Sequence, residues 1–415
     1  MYDLLIIGGG LQGVFFAHAF HSRGLADADR IAIVDPNETL AAVWDARCSR
    51  VGMDMLRSPS SHNMDPDYRA LRRFARRHGY SSEAHLHYPY ARPSLKLFND
   101  QLHRIIETDG LKHSHLCARV VSIEARKGGF RAHTPNGAVD ASLVILATGS
   151  GGLQEPGFIK KNGGPTERIS HLFSDTDAID SVPVPADDMH ARAASMGERI
   201  LILGGGISGW QAALRYARLG AARVTVASPH PIRESIFDSD PCYIGPKCGN
   251  EYRSLSIPER IEKLKAVRYP GTVPPELAVE ARNACTHGRV DTLEMVANGV
   301  KHESGGIRAV AGSGAVSDVY DRITAATGLT CELPYPQLVR SIADSLSLDV
   351  HASGHPVLSS DLSWTSGLFV TGRLGELEIG PQAGNIVGAH LAFRRIRDSV
   401  ANAVGAAARM HPAGG

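Results

Sequence analysis

The chain has 415 residues, 43% of them hydrophobic, with 44 Lys and Arg against 43 Asp and Glu. A formal charge of +1 leaves no global field to gather nucleic acid or anionic lipid. No apolar run is long enough to span a bilayer, and the length suits about two to three domains.

Asp3-Leu4-Leu5-Ile6-Ile7 is a short apolar run, expected as a buried parallel strand. It meets Gly8-Gly9-Gly10-Leu11-Gln12-Gly13 and then a helical pattern from Leu11 to about Ser22, with Gly24 near the C-cap. The chain starts directly in this strand, with no basic leader or cleavage site, so a soluble, cytoplasmic protein is expected. In a strand–GxGxxG–helix unit, Gly8 permits the turn, Gly10 admits a pyrophosphate and Gly13 lets helix and strand pack closely. The diphosphate then sits on the positive end of the helix. Arg30-Ile31-Ala32-Ile33-Val34-Asp35 predicts the second strand. Asp35 falls about 20 residues past Gly13, where a carboxylate accepts adenosine ribose hydroxyls. The alternative is that it merely ends a strand before Pro36.

From Ser114, segments around Lys127-Gly128-Gly129 and Asn136-Gly137 predict antiparallel hairpins, followed by a buried strand ending in Ala147-Thr148-Gly149. Gly149 to Gly197 is rich in Gly, Pro, Asp and Ser and is expected as linker and loops. Ile200-Leu201-Ile202-Leu203 then runs into Gly204-Gly205-Gly206-Ile207-Ser208-Gly209, a helix to about Leu219 and a strand Arg223 to Ala227. Ala326-Thr327-Gly328 repeats the earlier Ala-Thr-Gly ending, so the internal repeat spans two whole domains. Two such cradles imply two dinucleotides, most simply a bound flavin and the nicotinamide that reduces it. Ser228, not a carboxylate, follows the second domain's second strand, and Arg233 comes shortly after. This favours NADPH over NADH if Arg233 meets the 2′-phosphate; the other reading of Arg233 is a solvated loop cation.

The expected architecture is α/β with two Rossmann-like dinucleotide-binding domains, one for FAD and one for NADPH, the FAD domain being discontinuous. Its boundaries are 1–155 and 355–400 for the FAD domain, 156–197 for the linker and 198–354 for the NADPH domain. A helical insertion at about 229–289 interrupts the latter, and 401–415 reads as a flexible tail. Leu368-Phe369-Val370-Thr371-Gly372 and Gly380 to Ile386 should return to the first domain.

Among the six cysteines no CxxC pair occurs, which argues against a disulfide framework, a zinc knuckle or a dithiol relay. Cys242 and Cys248 read as two ordinary thiols in one loop. His85/His87 and His113/His115 form no coupled ligand set, so no metal is expected. Arg69, Arg72, Arg73, Arg76, Arg77 and His78 read as a solvated helix face. His171 is either functional or a plain linker histidine.

These motifs together resemble the two-dinucleotide-binding-domain flavoproteins and, within them, the N-hydroxylating monooxygenases of the ornithine and lysine N-hydroxylase type. Trp44, the Leu56-Arg57-Ser58-Pro59 segment, Tyr88-Pro89 with Arg92 and Phe98, and Ser208 carry the narrower resemblance. It implies oxygenation of a nucleophilic nitrogen, or sulfur, of a small amino-acid-like metabolite through a flavin hydroperoxide, with NADPH as donor and dioxygen as co-substrate. An NAD(P)H reductase serving a small acceptor or partner protein is the alternative, and homo-oligomerisation stays open. Expected flavin-site residues are Gly8, Gly10, Leu11, Gln12, Gly13, Asp35, Trp44, Arg57, Thr148, Gly149, Gly372 and Gln382. Those for NADPH are Gly204, Gly206, Ser208, Gly209 and Arg233. Arg57, Asp54 and Arg50 are the candidates for the catalytic and substrate region. Two departures stand out. Val51-Gly52-Met53 replaces the family's Lys-Asp-Leu, so the resemblance does not carry ornithine or lysine over as substrate. Gly372-Arg373 replaces its Gly-Asp, and Arg373 either faces an electron-rich flavin pyrimidine or lies on the surface.

Overall fold

The computed structural model describes residues 1–161, 164, 166, 168–174, 197–330 and 332–410, the last seven by backbone alone. The chain opens with β1 (Tyr2–Ile7), α1 (Leu11–Ser22), β2 (Ile31–Asp35), α2 (Ala42–Val51), α3 (Ala70–Arg77) and α4 (Leu95–Thr108). Then follow β3 (His115–Cys117), β4 (Ser122–Arg126), β5 (Gly129–Thr134) and β6 (Gly137–Leu146). β6 pairs antiparallel with β5 at its start and parallel with β1 from Ala141 onward. Both predicted hairpins and the buried strand are therefore present, the last two sharing one strand.

The alternation of side chains along β1 divides the first domain into two cores. Leu4 and Ile6 join Phe15, Phe16 and Phe20 of α1 and the helical layer; Leu5 and Ile7 face Val120, Ile123 and Phe130 on the hairpin side. α1 is apolar nearly all round because it is enclosed: Phe15 and Phe20 meet Phe393 edge-on, at 6.2 and 5.3 Å.

The second sheet begins earlier than expected. β7 (Ile169–His171), inside the stretch read as linker, pairs parallel with β11 (Arg322–Ala325). Positions 175–196 of that stretch lie outside the described residues. β8 (Arg199–Leu203), α5 (Ile207–Arg218), β9 (Arg223–Ser228) and β10 (Asp291–Glu294) complete a parallel sheet of order β10-β9-β8-β11-β7. Between β9 and β10 lies the helical insertion, with α6 (Pro246–Ser254), α7 (Ile257–Val267) and α8 (Pro275–Thr286).

The chain re-enters the first domain before residue 355. α9 (Pro336–Leu346) places Val339, Ile342 and Ala343 in the hairpin-side core, so this segment, assigned by sequence to the second domain, belongs to the first. β12 (Ser363–Thr365) and β13 (Leu368–Val370) then give a sheet of order β12-β13-β6-β1-β2-β3. α10 runs from Ile386 to Met410, so the segment after Ser399, expected to fray, continues the helix; Val400 is fully buried in the helical core. Residues 411–415 lie outside the described set.

A second correction concerns Cys242 and Cys248. A 3₁₀ turn at Pro241–Ile244 bends the chain directly into α6, bringing their Cα atoms to 5.6 Å, and they form a disulfide. Spacing along the sequence gave no sign of that reversal.

Candidate functional site

The two glycine turns are built alike. Gly8 and Gly204 have φ of +112° and +129°, and a Cβ there would lie 2.3 Å from the Ala147 carbonyl oxygen and 2.4 Å from that of Ala326. Gly13 and Gly209 pass still closer, with Cβ positions 1.8 and 1.9 Å from the carbonyls of Gly8 and Gly204. Only glycine fits these four places. Each Ala-Thr-Gly ending thus packs against the glycine turn of its own half.

The turns differ at the position expected to admit a ligand. A Cβ on Gly10 meets nothing within 4 Å, whereas one on Gly206 meets Gly271 Cα at 3.4 Å. The first cradle is open at the N-terminus of α1. The second is walled by the loop before Thr272–Val273, which pairs parallel with Arg233–Glu234 and so sets Arg233 beside that wall. Arg233 is exposed, and Ser208 lies in the first turn of α5.

Around the first cradle the expected residues converge. Asp35 Oδ2 accepts the Gly9 amide at 2.7 Å, and its Oδ1 accepts the Asn37 amide at 2.9 Å. Gln12 is buried; its Nε2 donates to the carbonyls of Ala383 (2.8 Å) and Asn385 (3.2 Å), and its Oε1 accepts from Thr371 Oγ1 at 3.0 Å. A Cβ on Gly372 would touch Gln12 Oε1 and the Gly149 carbonyl, both at 3.4 Å. Leu11 and Gln12 start α1, and Thr148 Oγ1 is buried with no hydrogen-bond partner. The residues fit a flavin dinucleotide: an open glycine turn at a helix N-terminus, a carboxylate behind it and an unpaired buried hydroxyl beside it.

Gln382 is buried as well. Its Nε2 donates to the Asp240 carbonyl at 2.7 Å, tying the Gly380–Asn385 segment to the insertion, while its Oε1 has no partner. Trp44 lies on α2, donates from Nε1 to Asn99 Oδ1 at 2.9 Å and packs edge-on against Phe98.

Arg57 departs from expectation. Its Nε donates to Ile236 O (2.9 Å), and its Nη2 to Ser235 O (2.9 Å), Phe237 O (2.7 Å) and Thr272 Oγ1 (2.8 Å). The guanidinium is engaged with the insertion backbone, so Arg57 clasps the insertion to its own segment. Burial among these groups lowers its pKa. Asp54 points elsewhere: its exposed carboxylate lies 3.7 Å from Arg218 on α5. Arg50 is in the last turn of α2. Arg57 and Asp54 thus engage different elements. Arg92 is buried and pairs with Glu276 of α8 at 2.5 Å, a second clasp.

Sequence reasoning missed a third. Glu376, itself buried, lies 2.5 Å from Arg268, 3.3 Å from His355 and 3.5 Å from Arg373. Burial alone would raise its pKa, but these neighbours hold the carboxyl down at about 2. Arg260 pairs with Glu378 at 2.5 Å, and the Tyr252 hydroxyl donates to Glu376 O at 3.0 Å. Arg373 also donates to Thr330 O, so it is not a surface arginine. Partners separated by more than 100 residues leave no local signal. His171, in β7, accepts the Phe173 amide at 3.2 Å and is a sheet residue, not a linker one. Cys48 is buried, which pushes its thiol pKa up, and among the described residues it forms no disulfide. Among the described residues no cluster of metal ligands occurs and no helix is long and apolar enough to cross a membrane.

Residues 5–151 match the family model described as FAD-NAD(P)-binding. No curated protein shows significant similarity to the chain. Among solved structures, the reduced form of ornithine hydroxylase from Pseudomonas aeruginosa superposes with a TM-score of 0.73 at 16% identity, covering 97% of this chain and 100% of that one. L-lysine 6-monooxygenase from Pseudomonas syringae gives 0.69 at 17% identity over 98% and 100%. The FAD-bound cadaverine monooxygenase of Erwinia amylovora gives 0.70 at 13% identity over 96% and 94%. Residues 5–151 thus match an FAD-NAD(P)-binding family model, and the chain has the two-dinucleotide-binding-domain fold seen in the ornithine and lysine N-hydroxylases.

Proposed function

We propose that the chain is an NADPH-dependent FAD monooxygenase acting on a nucleophilic nitrogen, or sulfur, of a small, amino-acid-like metabolite. The observation that carries this reading is the pair of matched glycine turns, one open at Gly10 and one walled by Gly271, in the fold shared with the N-hydroxylases. Bound FAD supplies a two-electron store between NADPH and dioxygen.

The chain's own residues bind, orient and enclose. Gly8, Gly10 and Gly13 with the Leu11 and Gln12 amides hold the flavin diphosphate, Asp35 the adenosine ribose, and Thr148, Gly149, Gly372, Gln382 and Trp44 complete that site. Gly204, Gly206, Ser208, Gly209 and Arg233 take NADPH. The Arg57, Arg92 and Glu376 clasps keep the insertion against the flavin side, where it excludes water from the reacting atoms. The FAD domain then comprises 1–155 and the segment from α9 to α10, and the NADPH domain the sheet β7 to β11 with its insertion. A small-molecule substrate, dioxygen and a cytoplasmic setting go with this reading.

The test is parallel measurement of NADPH and oxygen consumption by the purified yellow protein across amines, amino acids and thiols. Oxygenated product in step with oxygen use supports it. Rapid electron transfer to an added acceptor, with no oxygenated product from any compound, supports the reductase instead.

A further inference from the structure

We propose that the Cys242–Cys248 disulfide is a thiol-responsive switch: a low-molecular-weight thiol opens it at Cys242, and the opened insertion lets go of residues 380–385 beside the first glycine cradle. Naming the cradle's ligand rests on the FAD reading; the loosening of the segment does not.

The bridge sits where the insertion meets the flavin side. On one flank, Asp240 Oδ1 accepts the Cys242 amide at 2.9 Å, the Asp240 amide donates to Val267 O at 3.0 Å, and the Asp240 carbonyl receives Gln382 Nε2 at 2.7 Å. On the other flank, buried Tyr243 meets Tyr252 edge-on at 6.1 Å, and the Tyr252 hydroxyl donates to Glu376 O at 3.0 Å. Both flanks thus end on the stretch from Glu376 to Gln382, and Gln12 holds the Ala383 and Asn385 carbonyls just beyond it. Tyr243, Tyr252, Leu264 and Leu377 form a small core of their own, against which Cys248 packs. So few buried side chains supply little cohesion, and the crosslink between the turn and α6 carries much of the local order.

The two sulfurs are unlike. Cys242 is exposed, whereas Cys248 is half-buried and is the third residue of α6. An incoming thiolate therefore reaches Cys242 Sγ, forms a new S–S bond there and breaks the old one. The electron pair leaves with Cys248 Sγ, whose negative charge is stabilised by the positive end of α6. A second small thiol then attacks the mixed disulfide at the sulfur of the first. Two small thiols become one small disulfide, and the protein gains two electrons and two protons as a pair of thiols. An exposed bridge with a stabilised leaving sulfur belongs to the labile, regulatory kind.

Opening is local. Arg57 still holds the carbonyls of Ser235, Ile236 and Phe237, and Arg260 still holds α7 against Glu378. What slackens is the turn, α6 and the Gln382 contact, so water gains access to the first cradle. A thiol-rich setting keeps the enzyme slack, and an oxidising one closes it.

The experiment is hydrogen–deuterium exchange of the purified full chain with and without reduced glutathione, alkylation and mass spectrometry reporting the state of the bridge. With the bridge open, exchange should quicken about tenfold or more at residues 242–254 and at the Gly380, Ala383 and Asn385 amides, and stay within about twofold at 235–237. The double variant Cys242→Ser, Cys248→Ser should show the quickened pattern without glutathione and no response to it. A bridge that is absent or that glutathione leaves intact, unchanged exchange at 380–385, or equal quickening at 235–237 overturns the proposal. Flavin absorbance of the untreated protein decides the FAD reading separately.

Discussion

Arg57 and Thr272, 215 positions apart, meet twice: Nη2 donates to the Thr272 hydroxyl at 2.8 Å, and Nη1 to its carbonyl at 3.4 Å. One side chain of the flavin side thereby holds the rim of the loop that walls the second glycine turn. Arg57→Ala strands several carbonyls at once and should lower stability by about 2–4 kcal/mol, read as a shift in the urea midpoint. Arg57→Lys should recover little, because a single ammonium cannot reproduce the planar fork. A midpoint unchanged by the alanine variant would remove the clasp.

Gly10 and Gly13 should fail differently. Space is free around Gly10, so Gly10→Val should fold and yet lose FAD, seen as a colourless protein with an ordinary circular dichroism spectrum. Gly13→Ala drives a methyl into the Gly8 carbonyl and should cost folded protein itself, by about 2–4 kcal/mol. Normal flavin content in Gly10→Val contradicts the cradle assignment.

Arg233→Ala should weaken NADPH at least several-fold while leaving NADH nearly untouched, because the guanidinium matters only to the 2′-phosphate. Steady-state KM values for the two donors provide the check. Equal changes in both would take Arg233 out of the site.

His18 lies between Asp109 (2.6 Å) and Asp65 (3.4 Å). Burial opposes its charge, but the two carboxylates win and raise its pKa from 6.5 to about 9. The folded state binds the proton more tightly than the unfolded state, so this stabilisation is full below about pH 6.5 and fades as pH rises through about 9. Thermal unfolding followed from pH 6 to pH 10 should show a fall that His18→Gln lacks. Parallel curves for both proteins refute the coupling.

Reducing Cys242–Cys248 should lower stability by roughly 2 kcal/mol, the loop-closure value for so short a span. Cys242→Ser should mimic the reductant and become insensitive to it; a reductant-independent melting temperature in the parent would mean that the bridge does not form.

What the sequence made legible was local or periodic. Gly8 to Gly13 and Gly204 to Gly209 announce themselves because turn, helix start and strand packing each require glycine at fixed spacing. β1, β2, β8 and β9 follow from short apolar runs. Arg57 was visible as a noteworthy residue, but its partners at 235–237 and 272 depend on how the insertion folds back, which no spacing encodes. The same holds for Glu376 with Arg268 and for the cysteine pair. α9 was missed because its apolar positions Val339, Ile342 and Ala343 reveal a helix without revealing which core receives it.

The first domain is closed by its last pieces. β13 completes the sheet beside β6, and the Phe393 region of α10 covers α1, so the pairing edge of β6 stays bare until residues near 370 have left the ribosome. At about 5–20 residues per second that interval is on the order of ten seconds or more, long enough for the second sheet to form first. Synthesis therefore releases every strand of the second sheet before the first sheet is complete, and an exposed strand edge must be shielded meanwhile.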